Sequence, residues 1–423
     1  MSTAGVAFVA LGCRVSRAEL DALAGRLERA GCAVCAPEEA SAIVVNTCAV
    51  TGEAEAKTRK RIRHLAGLPL GPLVVATGCA ATLFPDRVAG LAPNVEVPSS
   101  RDELVARVLA HVGLDGAAGA DGNRAAAGRV TATGRTRPGV KIQDGCDMRC
   151  SYCIVWKARG PSRSLAPEKA VAAVEEQVRA GAWEVVLTGI NLGTYRGETS
   201  QGRVLGIADL IDAILERTDV GRLRLSSIEP PDVTDDLVRV MARAGERVAP
   251  FLHVCLQSGC DATLGRMRRP YDTALYERVV DRARETLPHL SLGTDLIVGF
   301  PGETEGEFEA SRAFCERMRF SRMHVFRYSP RPGTTAAEAD EQVEAPEKAR
   351  RAARMRTLAA EMRLAEARRC VGRPEVALVQ EAGRGVTGGL FDVRVDPDLA
   401  VGRPARVVPR DVDAHAVLDA RSA

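Results

Sequence analysis

The sequence predicts an α/β protein with an amino-terminal doubly wound α/β domain, a central open, partial TIM-like (β/α)6 barrel and a small carboxy-terminal β domain. Three observations carry this. Short apolar runs alternate with helix-period segments over residues 1–112 and again over 140–329, as they do in parallel sheets wound by helices. A stretch rich in Gly, Ala and Arg, residues 113–137, has no apolar periodicity and reads as a linker. From residue 371 onward the runs shorten and are broken by Gly, Pro and Asp, which signals strands without helices.

In the first domain, run 6–11 leads to Gly12-Cys13, run 42–46 to Thr47-Cys48, and run 73–76 to Thr77-Gly78-Cys79. Helices are expected over 17–30 and 53–66. Right-handed crossovers through helices make such strands parallel, so Cys13, Cys48 and Cys79 fall at one carboxyl edge of the sheet. Open α/β sheets bind ligands at that edge. Three thiols gathered there make a candidate metal site with only three protein ligands.

The central domain, 138–370, has strand candidates at 140–143, 184–188, 222–226, 251–256, 292–298 and 323–328. Its helix candidates are 167–180, 207–217, 235–244, 273–287 and 303–318. Six units suit an open barrel, and chemistry in such barrels gathers on the loops after the strands. Helix 346–370, crowded with Arg and interspersed with Glu, reads as a solvated face laced by charge pairs in preference to an RNA-contacting one. Runs 375–380, 390–395 and 405–408 are the strand candidates of the domain over 371–423.

The loop after the first barrel strand reads Cys146-Asp-Met-Arg-Cys150-Ser-Tyr-Cys153. This C-x3-C-x2-C spacing places three thiolates on one short loop, able to hold three irons of a cubane cluster and leave the fourth open to a substrate. Structural zinc sites are closed by four Cys or His ligands, and the nearest histidines, His111 and His253, are distant in sequence. Such an open iron points to radical chemistry on S-adenosylmethionine (SAM).

The 423 residues are 46% hydrophobic and 27% charged, with 12 cysteines. Cysteine-rich composition without a secretory signal argues for metal ligation in a reducing cytoplasm over a disulfide framework. Run 6–11 is too short to cross a membrane. A net charge of +3 means that a nucleic-acid partner is met by local basic patches. The densest runs from Lys57 to His64. Of the other cysteines, which include Cys315 and Cys370, Cys32 and Cys35 read as buried thiols rather than a redox pair, and Cys255 and Cys260 as packing residues.

The cluster loop, with Ala158-Arg159-Gly160-Pro161-Ser162-Arg163-Ser164, resembles the radical SAM methylthiotransferases. The resemblance extends through Leu187-Thr188-Gly189-Ile190-Asn191, Leu225-Ser226-Ser227-Ile228-Glu229-Pro230, Leu256-Gln257-Ser258-Gly259, Thr294-Asp295-Leu296-Ile297-Val298-Gly299-Phe300-Pro301-Gly302-Glu303 and Tyr328-Ser329-Pro330-Arg331-Pro332-Gly333-Thr334. The three strand-end cysteines of the first domain match the family's amino-terminal cluster domain.

This resemblance implies two [4Fe-4S] clusters, on Cys146, Cys150 and Cys153 and on Cys13, Cys48 and Cys79, with SAM bound or shaped by Gly189, Asn191, Ser226, Ser227, Glu229 and Gln257. It implies tRNA as substrate and an electron donor such as flavodoxin or ferredoxin; the sulfur donor stays open. The wording is most similar to the branch acting on threonylcarbamoyladenosine beside the anticodon. Branches acting on isopentenyladenosine or on a ribosomal-protein aspartate stay open as alternatives. Trp156-Lys157 departs from the family's common Pro-Tyr, and the terminal domain resembles a short TRAM module. Outside the family, a non-catalytic iron-sulfur carrier or sensor would also explain both triads, and an RNA-binding adaptor would leave them idle.

Overall fold

The computed structural model describes residues 5–114, 131 and 133–421, so most of the linker expected over 113–137 lies outside the described residues. Five parallel strands form the first sheet, in the order Ala33–Val34, Gly5–Ala10, Ala42–Thr47, Leu73–Gly78, Val95–Glu96. Side chains alternate between faces. Val6, Val44 and Val75 lie under Leu20, Leu23 and Leu27 of helix Arg14–Arg29 and Leu104 and Val108 of helix Arg101–His111. Ala7, Ile43, Val45 and Val74 lie under Ile62 and Leu65 of helix Gly52–Ala66 on the other face. Covered on both sides, the sheet is doubly wound.

The barrel strands are Gly139–Lys141, Glu184–Thr188, Arg222–Leu225 continued by Ser227–Ile228, Phe251–Val254, Ser291–Val298 and Arg322–Arg327, paired in parallel. Among the described residues the first and sixth strands do not pair, so the barrel is open. Helix Arg14–Arg29 of the first domain packs against strand Gly139–Lys141 at this seam. Leu223, Leu225, Leu252, Val254, Leu292 and Leu296 face the surrounding helices, while the residues between them turn inward. Among these inward residues are the polar Glu184, Arg222, Arg224, His253 and Asp295.

Helix Ala345–Arg368 lays Met355, Leu358 and Met362 on the barrel. Several of its arginines are paired, Arg350 with Glu347 and Glu305 and Arg354 with Glu305 and Glu309. The helix then hands Ala367 to the core of a six-stranded terminal sheet ordered Pro404–Val407, Glu375–Glu381, Arg384–Thr387, Asp392–Arg394, Leu418–Asp419, Asp411–Val412. Three of these strands have no counterpart in the sequence pattern, because two are only two residues long and Arg384–Thr387 lacks an apolar alternation. No helix among the described residues is long and apolar enough to cross a membrane.

The terminal sheet closes the lower end of the barrel through a buried ion cluster. The Glu184 carboxylate accepts from Arg222 Nε at 2.7 Å and Arg224 Nε at 2.6 Å, while Nη1 of each arginine donates to a terminal-domain carbonyl, Val376 O or Gly388 O, at 2.8 Å. Burial pushes the Glu184 carboxyl up, but Arg224, Arg222 and Arg137 outweigh it and hold it at about 2. A depressed carboxylate stabilises above its ordinary value and loses that contribution as pH falls through its folded value.

Replacing Glu184 by Gln leaves two buried guanidinium groups without their counter-charge and is expected to cost about 3–5 kcal/mol in urea denaturation. The gap to the wild type should hold above about pH 5 and close as pH falls toward 2. A gap under about 1 kcal/mol at neutral pH would show that the arginines are solvated instead.

Candidate active site at two thiol triads

The cluster loop turns at Gly145, whose φ is +73° and where a Cβ would lie 1.9 Å from Pro161 O. Only glycine fits there. Cys146 N–H donates to Gly160 O at 3.1 Å, and Cys153 Sγ accepts from Val155 N–H at 3.4 Å. Gln143 organises the base of the loop: its Nε2 donates to Gly145 O at 2.8 Å and its Oε1 accepts from Asn191 N–H at 2.9 Å. Cys150 Sγ accepts from Arg269 Nη1 at 3.0 Å, and Arg269 is ion-paired with Glu229. The three thiols lie within electrostatic reach of one another; burial pushes Cys146 and Cys150 up and Cys153 up to about 12. Ligation must therefore displace protons.

The other triad forms at the carboxyl edge of the first sheet. Cys13 is the N-cap of helix Arg14–Arg29, Cys48 follows strand Ala42–Thr47, and Cys79 opens helix Cys79–Leu83 after strand Leu73–Gly78. Gly78, with φ +91°, makes the turn into Cys79. Cys48 lies within electrostatic reach of Cys79 and Cys13. Burial pushes Cys48 and Cys79 up; Arg331 opposes this at Cys48 and Arg159 at Cys79. Both arginines belong to the barrel chain segment.

Among the described residues, the group of ligating side chains with all ligand atoms within 4.8 Å of one another is His253, Asp295 and His324, and neither thiol triad is so closely set. Thiolates around a single zinc lie about 3.8 Å apart. Cysteine thiolates are the ligands that hold iron–sulfur clusters. The donor sets thus fit the two clusters that the sequence implies.

The strand-end residues lie at the mouth of the barrel. Asn191 Oδ1, Ser226 Oγ and Thr188 Oγ1 are buried without a hydrogen-bond partner, which costs about 1–3 kcal/mol each unless a ligand completes them. Asn191 Nδ2 reaches Met148 Sδ of the cluster loop at 3.8 Å, and Gly189 packs on Gln143. Glu229 is tied to the loop through Arg269; burial pushes its carboxyl up to about 7. Gln257 has a φ of +64°, a strained conformation for a residue with a Cβ and one that collects at ligand sites. These features fit bound SAM. Ser227 lies beside the Cys255 thiol and is the least engaged with the loop.

A buried ion network joins the two triads. Glu19, from helix Arg14–Arg29, accepts from Arg159 Nη1 at 2.5 Å and Lys141 Nζ at 2.7 Å, and also pairs with Arg101. Lys141 in turn holds Asp144, two residues before Cys146, at 2.8 Å. Arg159 Nε and Nη2 stay unpartnered on a guanidinium whose charge acts on the Cys79 thiol. Arg331 closes a second contact, to Glu55 at 2.5 Å. Gln143, Arg159, Arg269 and Arg331 receive no role from sequence reasoning. Arg159 and Arg331 stand in recognisable motifs, whereas nothing around Arg269 marks it.

Arg14 reaches the barrel interior, where Arg322, Arg224, Arg137 and Asp295 act on it; burial and the like charges pull it down to about 10. Trp156, the departure noted beside the cluster loop, takes the Arg149 guanidinium over its ring at 4.4 Å. Lys157 Nζ donates to Gly333 O at 2.6 Å.

Comparison with known proteins extends this reading. A family described as Radical SAM superfamily matches residues 140–315, and one described as Uncharacterized protein family UPF0004 matches residues 5–98. A threonylcarbamoyladenosine tRNA methylthiotransferase of Thermotoga maritima is 34% identical over 399 residues, 93% of this chain and 90% of its own length. A tRNA-2-methylthio-N(6)-dimethylallyladenosine synthase of Parafrankia sp. is 36% identical over 391 residues, 88% of this chain and 77% of its own. Among solved structures, the radical SAM methyltransferase TsrM of Kitasatospora setae shares the fold at a TM-score of 0.54 and 17% identity, covering 80% of this chain and 77% of that one. Both relatives carry methylthio chemistry in their names and align over most of their length, and the chain belongs to their family, the radical SAM methylthiotransferases.

Proposed function

We propose that the protein inserts a methylthio group at carbon-2 of the threonylcarbamoyladenosine beside the tRNA anticodon. The observation that carries the reading is the pair of three-thiol sites, each one ligand short of closure, coupled through the buried Glu19–Arg159–Cys79 contacts. A carrier or sensor has no use for such an arrangement together with unpartnered acceptors at the barrel mouth. The barrel [4Fe-4S] cluster and one SAM would supply the hydrogen-abstracting chemistry, a second SAM the methyl group, and a second [4Fe-4S] cluster on Cys13, Cys48 and Cys79 the sulfur.

The chain's own residues bind and align. Arg269 places its charge between Cys150 and Glu229, so that the cluster loop and the SAM pocket move as one body. Asn191 Oδ1 and Ser226 Oγ accept hydrogen bonds from bound SAM, and Gly189, Glu229 and Gln257 shape its pocket. Arg159 fixes the Cys79 corner against the barrel. An electron donor of the flavodoxin or ferredoxin class serves the barrel cluster in the cytoplasm. For the RNA, Lys57, Lys60 and Arg63 on helix Gly52–Ala66 are exposed beyond the Cys48 loop, suited to phosphates, which position without reading sequence.

Anaerobically reconstituted protein should hold about eight irons per chain. Replacing Cys13, Cys48 and Cys79 together by Ala, or Cys146, Cys150 and Cys153 together, should remove about half in each case. Full iron after either triple change would refute that triad as a cluster site.

Mass spectrometry of tRNA nucleosides from a strain lacking the gene should show loss of the methylthio group from threonylcarbamoyladenosine alone. Loss from the isopentenyl or dimethylallyl nucleoside, or from a ribosomal aspartate, would move the protein to another branch.

Reversing Lys60 and Arg61 to Glu should weaken tRNA binding and flatten its dependence on log salt by roughly one to two units. Identical binding across the salt series would remove the basic helix from the interface.

A further inference from the structure

Arg14 has the residue chemistry of a binding group and, among the described residues, nothing to bind. Its guanidinium makes no hydrogen bond or ion pair there, and Nη1 is buried without a partner. Of the charged neighbours acting on it most strongly, three are the like charges of Arg322, Arg224 and Arg137, and one is Asp295. Asp295 is already shared, with His324 Nδ1 at 3.0 Å and His253 Nε2 at 3.3 Å. Arg224 is taken up by Glu184 and terminal-domain carbonyls. His253, with a side chain 3% exposed, faces Asp295 through Nε2 and leaves Nδ1 unpartnered. Gathered cationic groups with donors to spare are costly inside a protein unless an anion completes them.

The group lies directly beneath the candidate active site. Ser226 is two residues beyond Arg224 on one extended segment, facing the same side and about 6.6 Å nearer the catalytic loops. Arg14 itself adjoins Cys13. The anion pocket is therefore the barrel floor below Asn191 and Ser226, beside one corner of the second thiol triad.

His253, Asp295 and His324 also resemble a two-His, one-carboxylate metal site. The charges decide against it. Arg322 Nε donates to His324 Nε2 at 3.3 Å, which assigns the proton of that imidazole to Nδ1, the nitrogen facing Asp295. A divalent cation would further add to the positive charge already acting on Arg14.

We propose that Arg14 determines substrate choice by taking the carboxylate of the threonylcarbamoyl group, with Arg322 and His253 completing the anion pocket. This rests on the proposed function. Of the two nucleosides named by the relatives, one carries threonine through its nitrogen and so ends in a free carboxylate; the other carries an uncharged dimethylallyl group. Carbon-2 and the N6 substituent flank the same Watson–Crick edge of adenine. Carbon-2 thus meets the triad at Cys13 while the substituent meets Arg14. An unpaired buried guanidinium favours the anion and rejects the hydrocarbon.

The test uses reconstituted holoenzyme and anticodon stem-loop RNA bearing threonylcarbamoyladenosine, its carboxylate methyl ester, or the dimethylallyl nucleoside. Binding is read by fluorescence anisotropy and methylthiolation by mass spectrometry. The wild type should bind the acid about tenfold or more tighter than the ester. Arg14→Gln should bind both alike, and Arg14→Lys should keep the preference. Because acid and ester are compared within each variant, a folding defect cannot imitate the result. Methylthiolation of the threonylcarbamoyl RNA with an unchanged acid preference in Arg14→Gln, or no preference in the wild type, overturns the assignment to Arg14 alone. Methylthiolation of the dimethylallyl RNA only would overturn the function on which it rests.

Discussion

The carboxylate of Glu19 is the constraint on which the rest of the structure depends. It lies between the first sheet and the barrel and gathers Arg159, Lys141 and Arg101. Burial pushes it up, but Arg159 and Lys141 outweigh burial and hold it at about 2. Apolar packing could join the two modules equally tightly, and buried ion pairs are poor sources of net stability. They are demanding in direction, however. A forked guanidinium facing Glu19 on one side and Cys79 on the other tolerates little sliding, so the network fixes how one thiol triad addresses the other. Sulfur insertion requires that placement more than it requires extra stability.

The lower end of the barrel uses the same device. Glu184, with Arg222 and Arg224, fixes the terminal sheet as Glu19 and Arg159 fix the first one. The barrel interior consequently holds charges where many barrels are filled by branched apolar side chains. An excess of arginine suits the ligands of the proposed reaction, since thiolate-bound clusters, the methionyl carboxylate, a threonyl carboxylate and RNA phosphates are all anionic. Where Arg14, Arg322, Arg224 and Arg137 gather, positive charge is part of the scaffold's chemistry, and the near-neutral total of +3 conceals it.

Local features of the sequence were the legible ones. Apolar runs ending in Cys13, Cys48 and Cys79 placed three thiols at one sheet edge, because a parallel sheet admits no other arrangement of those runs. The C-x3-C-x2-C loop showed itself by spacing alone. What stayed hidden acts across long stretches of chain. Arg269 and Cys150 are 119 residues apart, and Arg159 and Glu19 are 140 apart; no periodicity encodes such meetings. Helix Arg101–His111 escaped notice although Ser100 caps it and Glu103 supports the first turn, signals weaker than the apolar runs nearby. The terminal strands were undercounted because two-residue strands are defined by hydrogen bonding and leave no pattern to read.

Helix Arg14–Arg29 unites these levels. Its N-cap is Cys13, its first residue is Arg14 in the barrel interior, and Glu19 anchors it to the barrel. The positive end of its dipole faces the triad, favourable for an anionic cluster. Successive residues of a helix are offset by about 100°, so a one-residue slip between Cys13 and Glu19 would carry the thiol, the guanidinium and the carboxylate away from their partners together. Cluster ligation, the proposed substrate choice and domain docking are therefore not separately adjustable in this fold. Its active site depends on the rotational setting of one helix.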